Sequence, residues 1–558
     1  MNKSRTVVAT VALVLLAFGG GGTAPAATIT VLHVNDTHSH LDATGPKTRS
    51  LEGTVGGIAK AASVIAAERR HDPNLLLLHA GDAFVGDLLF NAYFGVPELQ
   101  LMQQLGFDAM AVGNHEFDLG PDALAYALGQ AYGGGTLPLL SANLDLSAKP
   151  ELATWIKPST TKDVNGVRVG IFGMTVPDEP TMNSAPVAVI GGDAMFGIAG
   201  AQVQALRASG AQVVICLSHL GVLYDQALAA NVPGIDVIVG GHNHYEYARP
   251  LRVTNPGGTR TLIVQAGQFY EKVGRLRLVV ADGAVTFKDY ALLPVDASVR
   301  SLPAVQQVVR DLKTGVVAQF GDVYHTVLAR ALRDIDRTAG ARSPARDSGM
   351  GDLITDSMRW AAHTDIAITT DGLISEGITA GPIVGADAFR PVSYGFDPAT
   401  GLGFKLVTFD ITGAEMVKGI ETTLAYLGLT DAFSVEVSGM RFAYDAAAPL
   451  GGRVCLSSIR IGGRRFDPAA TYSATADEGL VMLLPLMGVA ISNPQVLPDH
   501  EYTALRDFLT RLRLVDYASE GRVVDLAAWR LRCAGTDGAA DVPALPVGEG
   551  DRPGIEWR

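Results

Sequence analysis

Short apolar runs alternate with segments of helical spacing over the first half of the chain, from residue 28 to about residue 294. The apolar runs are TITVLHV, NLLLLHA, AMAVG, VRVGIFGMT, QVVICLSH and IDVIVGG, all of strand length. Between them, residues 57–70, 97–105 and 121–132 place apolar side chains at helical spacing. Strands that alternate with helices in this way predict an α/β layer architecture.

One amphipathic segment separates this region from a second region of the same kind. Residues 301–320, SLPAVQQVVRDLKTGVVAQF, show helical periodicity, and Ser301 is suited to cap the start of the helix. We therefore predict two α/β domains, over residues 28–298 and 321–535, joined by a linker helix over 301–320. Residues 536–558 are polar and rich in Gly and Pro, and they are predicted to form a flexible tail.

The amino-terminal segment has the pattern of a secretory signal peptide. A short basic start precedes an apolar run over residues 7–18, and Ala24, Pro25 and Ala26 supply a small-residue cleavage site. The apolar run is shorter than the roughly 20 residues that a membrane-spanning helix needs. We therefore predict that residues 1–26 are removed and that the protein is periplasmic or secreted, without a stable membrane anchor.

Composition narrows the expected partners. The chain has 558 residues, 48% hydrophobic and 18% charged, with a formal net charge of −13. Because no Lys/Arg-rich run is present, nucleic acid and anionic membranes are excluded as expected partners. An anionic substrate would then need local attraction from a metal or from a few arginines.

The chain contains three cysteines. Cys216 lies in the apolar run VVICLS and is predicted to be a buried thiol. Cys455 and Cys533 lie late in the chain, and an oxidising compartment would permit one disulfide between them. Two unpaired thiols are the other interpretation.

Polar side chains that can bind metal follow five of the predicted strands. They are Asp36 and His38 in NDTHSH, Asp82 in GDAF, Asn114 in VGNHEFDLG, His219 in SHLG, and His242 and His244 in GGHNH. Because strand carboxyl ends converge on one edge of an open α/β sheet, we expect these side chains to meet there. Buried without a partner they would be destabilising, and a divalent metal removes that penalty.

The donor set also indicates which ions, and how many, would bind. Mixed oxygen and nitrogen donors suit Zn, Mn, Fe or Co. Seven donors exceed what one tetrahedral ion needs, so the pattern predicts two ions that share a bridging carboxylate. Each group by itself has an ordinary explanation as a turn, a helix cap, a loop or a surface pair. Five such groups in order, each at a strand end, favour the metal site.

With these motifs together, the chain resembles the calcineurin-like metallophosphoesterase superfamily and, more closely, the secreted bacterial 5′-nucleotidase family. The matching elements NDTHSH, GGIAKAA, GDAF, VGNHEFDLG, SHLG and GGHNH span the first domain. The resemblance implies an α/β fold in which a four-layer αββα metallophosphoesterase sandwich is joined to a second α/β 5′-nucleotidase C-terminal domain. It implies ligands for one ion (Asp36, His38, Asp82 and His244) and for the other (Asp82, Asn114, His219 and His242), with Asp82 as the bridge.

The resemblance also gives roles to two polar residues that follow Asn114. His115 would not bind metal but would stabilise charge on the transferring phosphoryl group or protonate the leaving oxygen. Asp118, three residues on, would hold the tautomer of His115 and raise the pKa of its imidazole. Glu116 is expected to have a structural role. The alternative interpretation of His115 and Asp118 is that they cap the start of a helix.

The second domain matches less completely. MGDLITDSMRWAAHTDIAITTDG, FDITGAEMVKGIE and VEVSGMRFAYD resemble the 5′-nucleotidase C-terminal domain, which in the family recognises the nucleotide and swings about a linking helix. The Gly-Gly-Ile-Arg stretch of the family is replaced by TTDGLISEGITAG, without its phosphate-holding Arg. The later Gly-Gly-Asp-Gly-Tyr stretch of the family, which lies near a base-stacking aromatic, is also missing, and its place reads TADEGLVMLLPLMGV. Arg390, Tyr394 and Phe396 are candidates for a replacement pocket, or belong to an ordinary strand and turn.

The expected function follows from the resemblance. It is an exported phosphoesterase with two divalent ions that hydrolyses nucleoside 5′-monophosphates or related nucleotides by in-line attack of a metal-bound hydroxide. Cyclic nucleotides, nucleotide-sugars or other phosphoesters are alternative substrates for the same metal chemistry. A non-catalytic metal- or ligand-binding protein is the alternative from another class, and it would be indicated by a missing ligand or a missing His115.

Overall fold

The structure is a computed structural model that describes residues 26–132, 137–177, 183–339, 345–427, 432–529 and 533. The predicted signal peptide, apart from Ala26, and the predicted tail lie outside these residues. The strands before the linker are β1 (Ala27–Val34), β2 (Thr44–Lys47), β3 (Gly53–Val55), β4 (Leu76–His79), β5 (Ala109–Ala111), β6 (Leu139–Leu140), β7 (Leu144–Asp145), β8 (Ile156–Lys157), β9 (Ser159–Val164), β10 (Val167–Thr175), β11 (Ala188–Val189), β12 (Val213–His219), β13 (Val237–Val239), β14 (Leu251–Thr254), β15 (Arg260–Val264), β16 (Lys272–Ala281) and β17 (Ala284–Pro294). The helices are α1 (Ile58–His71), α2 (Leu88–Tyr93), α3 (Val96–Leu105), α4 (Gly120–Ala131), α5 (Gly192–Ala208), α6 (Val222–Asn231) and the linker α7 (Pro303–Phe320).

Two large sheets form the first domain. One has the strand order β17-β16-β1-β4-β5-β6-β8 and is parallel from β1 to β8; the other has the order β14-β15-β13-β12-β10-β9 and is parallel from β15 to β10. Central strands such as β12 are buried along their whole length, which explains their unbroken apolar sequence.

The two sheets pack face to face, with helices on both outer faces. Side chains of both sheets, such as Val31 and Leu78 on one and Ile171 and Ile215 on the other, share a single buried cluster. Helices α1, α3 and α4 cover the outside of the first sheet, and α5 and α6 cover the outside of the second. The predicted four-layer αββα sandwich is therefore confirmed.

Helix α7 packs on the first domain against α1 and α2. Its apolar face buries Val305, Val309 and Val316. The helix begins at Pro303 after Leu302, so the prediction that Ser301 caps it was wrong; a proline at the first helical position has no N–H to satisfy and starts the helix by itself.

The second domain is also α/β. Its strands are β18 (Val327–Ala331), β19 (Ile366–Thr370), β20 (Gly381–Val384), β21 (Lys405–Thr412), β22 (Val435–Ser438), β23 (Met440–Tyr444), β24 (Arg460–Ile461), β25 (Arg464–Arg465), β26 (Thr471–Asp477), β27 (Ser492–His500), β28 (Leu514–Val515) and β29 (Val523–Asp525). Its helices are α8 (Gly349–Ala362), α9 (Gly385–Phe389), α10 (Gly413–Leu424), α11 (Glu478–Leu483) and α12 (Glu501–Leu512). A five-stranded sheet, β22-β19-β26-β21-β27, carries α8 on one face, and α8 packs in turn on α12.

The cysteines separate into one buried thiol and one bonded pair. Cys216 is free and buried, as predicted. Cys455 and Cys533 form a disulfide with a Cα–Cα distance of 5.3 Å, which decides between the two interpretations left open by the sequence. Among the described residues, no helix combines the length and the apolar composition that a bilayer span requires.

Candidate dinuclear metal centre

All seven predicted ligands lie at one edge of the sandwich: His219 is the last residue of β12, and the other six lie in loops that follow β1, β4, β5 and β13. Backbone hydrogen bonds join these loops: Asp36 N–H donates to Gly81 O (3.0 Å) and His38 N–H donates to Asp82 O (3.1 Å). The backbone N–H of His242 donates to Asp36 Oδ1 (2.9 Å), which brings the last ligand loop to the first. The edge therefore gathers the side chains that the sequence pattern predicted to meet.

The first cluster of donors is formed by Asp36, His38 and His244, whose ligand atoms all lie within 4.8 Å of one another. The Nε2 atoms of His38 and His244 are 3.1 Å apart, and His244 Nε2 is 3.7 Å from Asp36 Oδ1. Donor atoms of two different loops thus converge on one point, as they do around a bound cation.

The second cluster is formed by Asp82, His219 and His242, with Asn114 beside them. His219 Nε2 is 2.9 Å from Asp82 Oδ2 and 3.2 Å from Asn114 Oδ1. His242 approaches the same amide oxygen through Nδ1, at 3.1 Å. Asp82 Oδ2 also lies 3.8 Å from His38 Nε2, so one carboxylate oxygen faces both clusters.

The backbone at these positions is strained. Asp36, His38, Asp82, His242 and His244 all have positive φ values, between 45° and 79°. Such conformations are unfavourable for residues other than Gly and persist where the surrounding structure over-determines them, commonly at functional sites. Five of the seven predicted ligands therefore occupy strained positions that aim their side chains into the centre.

The donors fit divalent ions in orientation as well as in type. Both His38 and His219 place Nδ1 against a backbone carbonyl, of Phe84 (3.2 Å) and Ala80 (2.7 Å), so Nε2 is the ring nitrogen that remains for a metal at the centre. This partner for the second ring nitrogen is the arrangement that metal-binding histidines usually show. Mixed carboxylate, amide and imidazole donors suit borderline divalent ions.

Burial keeps three of the four ligand histidines in the form that binds metal. It lowers the pKa of His38 well below its usual value and those of His242 and His244 to about 3, so these imidazoles are neutral at pH 7. At His219 burial also opposes protonation, but the charges of Asp82 and Asp36 outweigh it and raise the pKa to about 9, so this imidazole would release a proton when it binds metal. Burial also raises the pKa of Asp36 to about 7, because a buried carboxylate without a cation beside it is unfavourable in its charged form. A divalent ion would relieve this penalty.

His115 lies beside the clusters but belongs to neither. Its Nδ1 contacts Asp118 Oδ2 at 2.9 Å, and its ring is edge-on to His38 with centroids 5.2 Å apart. Burial opposes protonation, but Asp118 and Asp82 outweigh it and raise the pKa of His115 well above its usual value. The carboxylate of Asp118 thus holds this imidazole at the edge of the centre and favours its protonated form.

Glu116 holds two ligand loops together. It is buried, and its carboxylate accepts hydrogen bonds from the backbone N–H groups of Gly113 (2.7 Å), Asp82 (3.1 Å) and Ala83 (2.8 Å). Gly113 has a separate requirement, because a Cβ at this position would lie 2.1 Å from Asp82 Oδ1. The polar residues of VGNHEFDLG thus have distinct places: Asn114 lies beside the second cluster, His115 and Asp118 form a pair at its edge, and Glu116 holds the ligand loops.

The three candidates in the second domain have different surroundings. Tyr394 stacks on His115, with ring centroids 5.4 Å apart and an angle of 15° between the planes. Phe396 meets the edge of Phe94 at 5.3 Å. Arg390 is buried, and its guanidinium pairs with Asp87 (2.7 Å) and Asp387 (2.9 Å). Of the three, Tyr394 contacts a residue of the centre.

Arg337 is a residue that sequence reasoning missed. Its guanidinium donates to the carbonyls of Ile374 (3.1 Å) and Ser375 (3.3 Å), in a loop whose Glu376 contacts His40 at 2.9 Å. Together with burial, the positive charge of Arg337 lowers the pKa of His244, so this guanidinium of the second domain lies close enough to the first cluster to act on its imidazole. No periodicity or motif around Arg337 signals this position.

Phe269 was also missed. Its ring stacks on His40 at 3.8 Å and lies edge-on to His38 (5.9 Å) and His244 (6.0 Å). The backbone N–H of Phe269 donates to Asp36 O at 2.9 Å. An apolar ring therefore packs against two imidazoles of the first cluster, and only the fold brings residue 269 to this place.

The comparisons with known proteins agree with this architecture. Residues 29–246 match the calcineurin-like phosphoesterase family, and residues 326–481 match the 5′-nucleotidase C-terminal domain. The fold and the paired donor clusters thus define a metal-dependent phosphoester hydrolase that uses two divalent ions. The chain belongs to the 5′-nucleotidase family, which confirms the resemblance.

Individual relatives support the same assignment. The solved 5′-nucleotidase precursor of Thermus thermophilus is 31% identical, aligns over 89% of this chain and 99% of its own, and has a TM-score of 0.78. A 5′-nucleotidase of Diplobatis ommata is 28% identical over 94% of both chains. A trifunctional nucleotide phosphoesterase of Bacillus subtilis is also 28% identical, over 76% of this chain, but the match covers 30% of that longer protein.

Proposed function

We propose that this chain hydrolyses nucleoside 5′-monophosphates to nucleosides and phosphate. The observation that carries the proposal is the position of Asp82, whose Oδ2 faces His38 Nε2 (3.8 Å) in one donor cluster and His219 Nε2 (2.9 Å) in the other. A shared carboxylate between two donor sets is what a two-metal phosphoesterase needs. The relatives named 5′-nucleotidase supply the nucleotide part of the proposal.

The ligand assignment is part of the proposal. One ion would be held by Asp36, His38, Asp82 and His244, and the other by Asp82, Asn114, His219 and His242. When bound, two such ions activate water and neutralise the phosphate oxygens. The protein supplies the geometry in which these ions and the substrate meet.

His115 and Asp118 would handle the proton that the leaving oxygen needs. Held at Nδ1 by Asp118, the ring of His115 directs Nε2 away from that carboxylate, and this atom would donate its proton as the ester bond breaks. Arg337 would contact a non-bridging phosphate oxygen from the opposite domain, as a guanidinium commonly does. Phe269 and Tyr394 would exclude bulk water from either side.

Of the second-domain candidates, Tyr394 and Phe396 would line the substrate cleft. Arg390 acts one step removed in this proposal: its ion pairs with Asp87 and Asp387 fix the loop that carries Tyr394 against the first domain. Ser375 connects this loop to Arg337. Its hydroxyl lies 3.0 Å from Ser393 Oγ, and its backbone carbonyl accepts a hydrogen bond from the Arg337 guanidinium.

A second candidate substrate class is favoured by one observation. The stretch TTDG at the end of β19 places the acidic Asp371 directly after the strand, without the arginine that the family resemblance would lead one to expect. Cyclic nucleotides, nucleotide-sugars or other phosphoesters are therefore the alternative, and the Bacillus relative named as trifunctional is consistent with a range of nucleotide esters. A non-catalytic role is disfavoured, since none of the seven donors and neither member of the His115–Asp118 pair is missing.

Export is part of the proposal as well. The basic, apolar and small-residue segments of the first 26 residues support it. The Cys455–Cys533 disulfide also suits an oxidising compartment outside the cytoplasm. Expression of the full chain in a bacterium, followed by fractionation and amino-terminal sequencing, would test it; a full-length chain retained in the cytoplasm would contradict it.

A substrate panel tests the nucleotidase proposal. Protein reconstituted separately with Zn, Mn, Fe or Co would be assayed with AMP, other nucleoside 5′-monophosphates, a cyclic nucleotide, a nucleotide-sugar and a generic aryl phosphate, with Asp82→Asn as the blank. We expect kcat/KM for AMP to exceed that for the aryl phosphate. Equal values would contradict the nucleotide specificity and leave the phosphoester hydrolase assignment in place.

A further inference from the structure

The second domain contains a concave site that the proposed reaction does not use. The cavity has a volume of about 510 Å³, a size typical of small-molecule sites. We call it the arginine cleft and define it by six of the residues that line it: Arg359, Trp360, His363, Arg464, Arg465 and Tyr472. It combines three guanidinium groups with an indole, a phenol and an imidazole.

The arginine cleft lies at the opposite end of the sheet from the metal centre. Its wall includes Asp365, directly before β19, and Tyr472, at the start of β26, which pairs with β19 in parallel. Glu376, which contacts His40 near the metal centre, follows the other end of β19. A five-residue strand spans about 16 Å, so the two sites are separate.

The charge in the cleft opposes the charge of the chain. The whole sequence carries a formal −13, whereas Arg359, Arg464 and Arg465 face one acidic lining residue, Asp365. The carboxylate of Asp365 is already engaged, because its Oδ2 accepts hydrogen bonds from the backbone N–H (3.0 Å) and hydroxyl (2.9 Å) of Ser473. The cleft therefore presents net positive charge to a ligand.

The elements of the cleft are held in place by the fold. Arg464 and Arg465 form β25 and pair with β24 across the turn Gly462–Gly463, whose positive φ values of 53° and 73° permit a two-residue hairpin. Both arginines are exposed. The partly buried ring of Trp360 rests on Phe508 (5.7 Å), so the indole stands at a fixed position in the wall.

We propose that the arginine cleft binds a small aryl phosphate without converting it. Guanidinium groups match phosphate oxygens in geometry and charge. Indole and phenol rings offer a planar apolar surface for an aromatic ring. Nucleotides belong to this ligand class, but the proposal stands independently of the reaction at the metal centre.

Binding to the metal-loaded full chain tests the proposal, with phenylphosphonate as a probe that cannot be hydrolysed. Calorimetric titration of the wild type should show a binding component that Arg464→Ala/Arg465→Ala weakens at least about tenfold, because charge-assisted hydrogen bonds are lost. The control Arg300→Ala/Arg511→Ala removes two exposed arginines outside the cleft and should keep that component. Unchanged binding in the cleft variant would overturn the proposal.

Two further readouts separate this site from the metal centre. Phenylphosphonate should change the tryptophan fluorescence of the wild type, and Trp360→Phe should abolish the change. Turnover of a phosphoester substrate by Arg464→Ala/Arg465→Ala should stay within about twofold of the wild type, whereas joint loss of turnover and binding would contradict two separate sites. Inorganic phosphate should bind more weakly than phenylphosphonate; equal affinity would overturn the aryl preference.

Discussion

The metal edge of the first domain and the loops of the second domain that face it are built in different ways. At the metal edge, seven donors lie in short motifs at or just after the ends of strands, and five have strained backbone. The second-domain loops opposite the metal edge share no common motif; they carry Arg337, Glu376 and Tyr394. The difference teaches that metal ions demand fixed donor types at fixed positions, whereas an organic substrate can be met by many side chains from many backbone positions.

Removal of the shared carboxylate should have the largest effect. Asp82→Asn is expected to lower the metal content below two ions per chain and to reduce phosphoester turnover at least about 10⁴-fold, because in the proposed assignment this side chain binds both ions. Elemental analysis and a kinetic assay would measure the two effects. Two tightly held ions in a folded Asp82→Asn protein would show that the carboxylate is not shared.

His115→Ala should separate catalysis from metal binding. We expect normal metal content and a rate reduced by about 10²–10⁴-fold, the usual contribution of a positioned proton donor. Asp118→Asn should have a smaller effect in the same direction, since the imidazole remains but loses the carboxylate that holds it. Loss of metal from His115→Ala would mean that the residue is a ligand.

The donors of the metal edge could be predicted from the sequence, whereas the second-domain residues that face them could not. Strand-end motifs indicated all seven donors, because carboxyl ends of parallel strands share an edge whatever the details of packing. Arg337 and Phe269 escaped notice because their positions depend on how distant loops meet. Arg390 attracted attention by composition, yet its guanidinium is already occupied by Asp87 and Asp387.

Arg337→Ala tests whether the second domain contributes to phosphate binding. We expect kcat/KM to fall about 10–100-fold, chiefly through KM, because a charge-assisted hydrogen bond to the substrate is lost. Arg337→Lys should restore part of the loss by returning the charge without the planar fork. An unchanged KM in both variants would assign Arg337 to the support of the loop at Ile374 and Ser375.

Arg390→Ala should affect stability more than chemistry. Removal of one member of a buried ion pair leaves Asp87 and Asp387 without a countercharge, which costs about 3–5 kcal/mol in unfolding free energy. The control Arg333→Ala breaks an exposed pair with Asp516 and should cost about 0–1 kcal/mol. Denaturant unfolding would compare the two, and turnover of the folded Arg390→Ala protein should fall less than tenfold. Equal destabilisation by both variants would contradict a buried interdomain contact.

Anomalous diffraction from crystals of the full chain grown with manganese or zinc would test the central claim most directly. We expect two peaks about 3.5–4 Å apart, one among Asp36, His38 and His244 and the other among Asp82, His219 and His242, with the carboxylate of Asp82 in contact with both. A single peak, or two peaks of which Asp82 contacts at most one, would contradict a dinuclear centre built on a shared carboxylate.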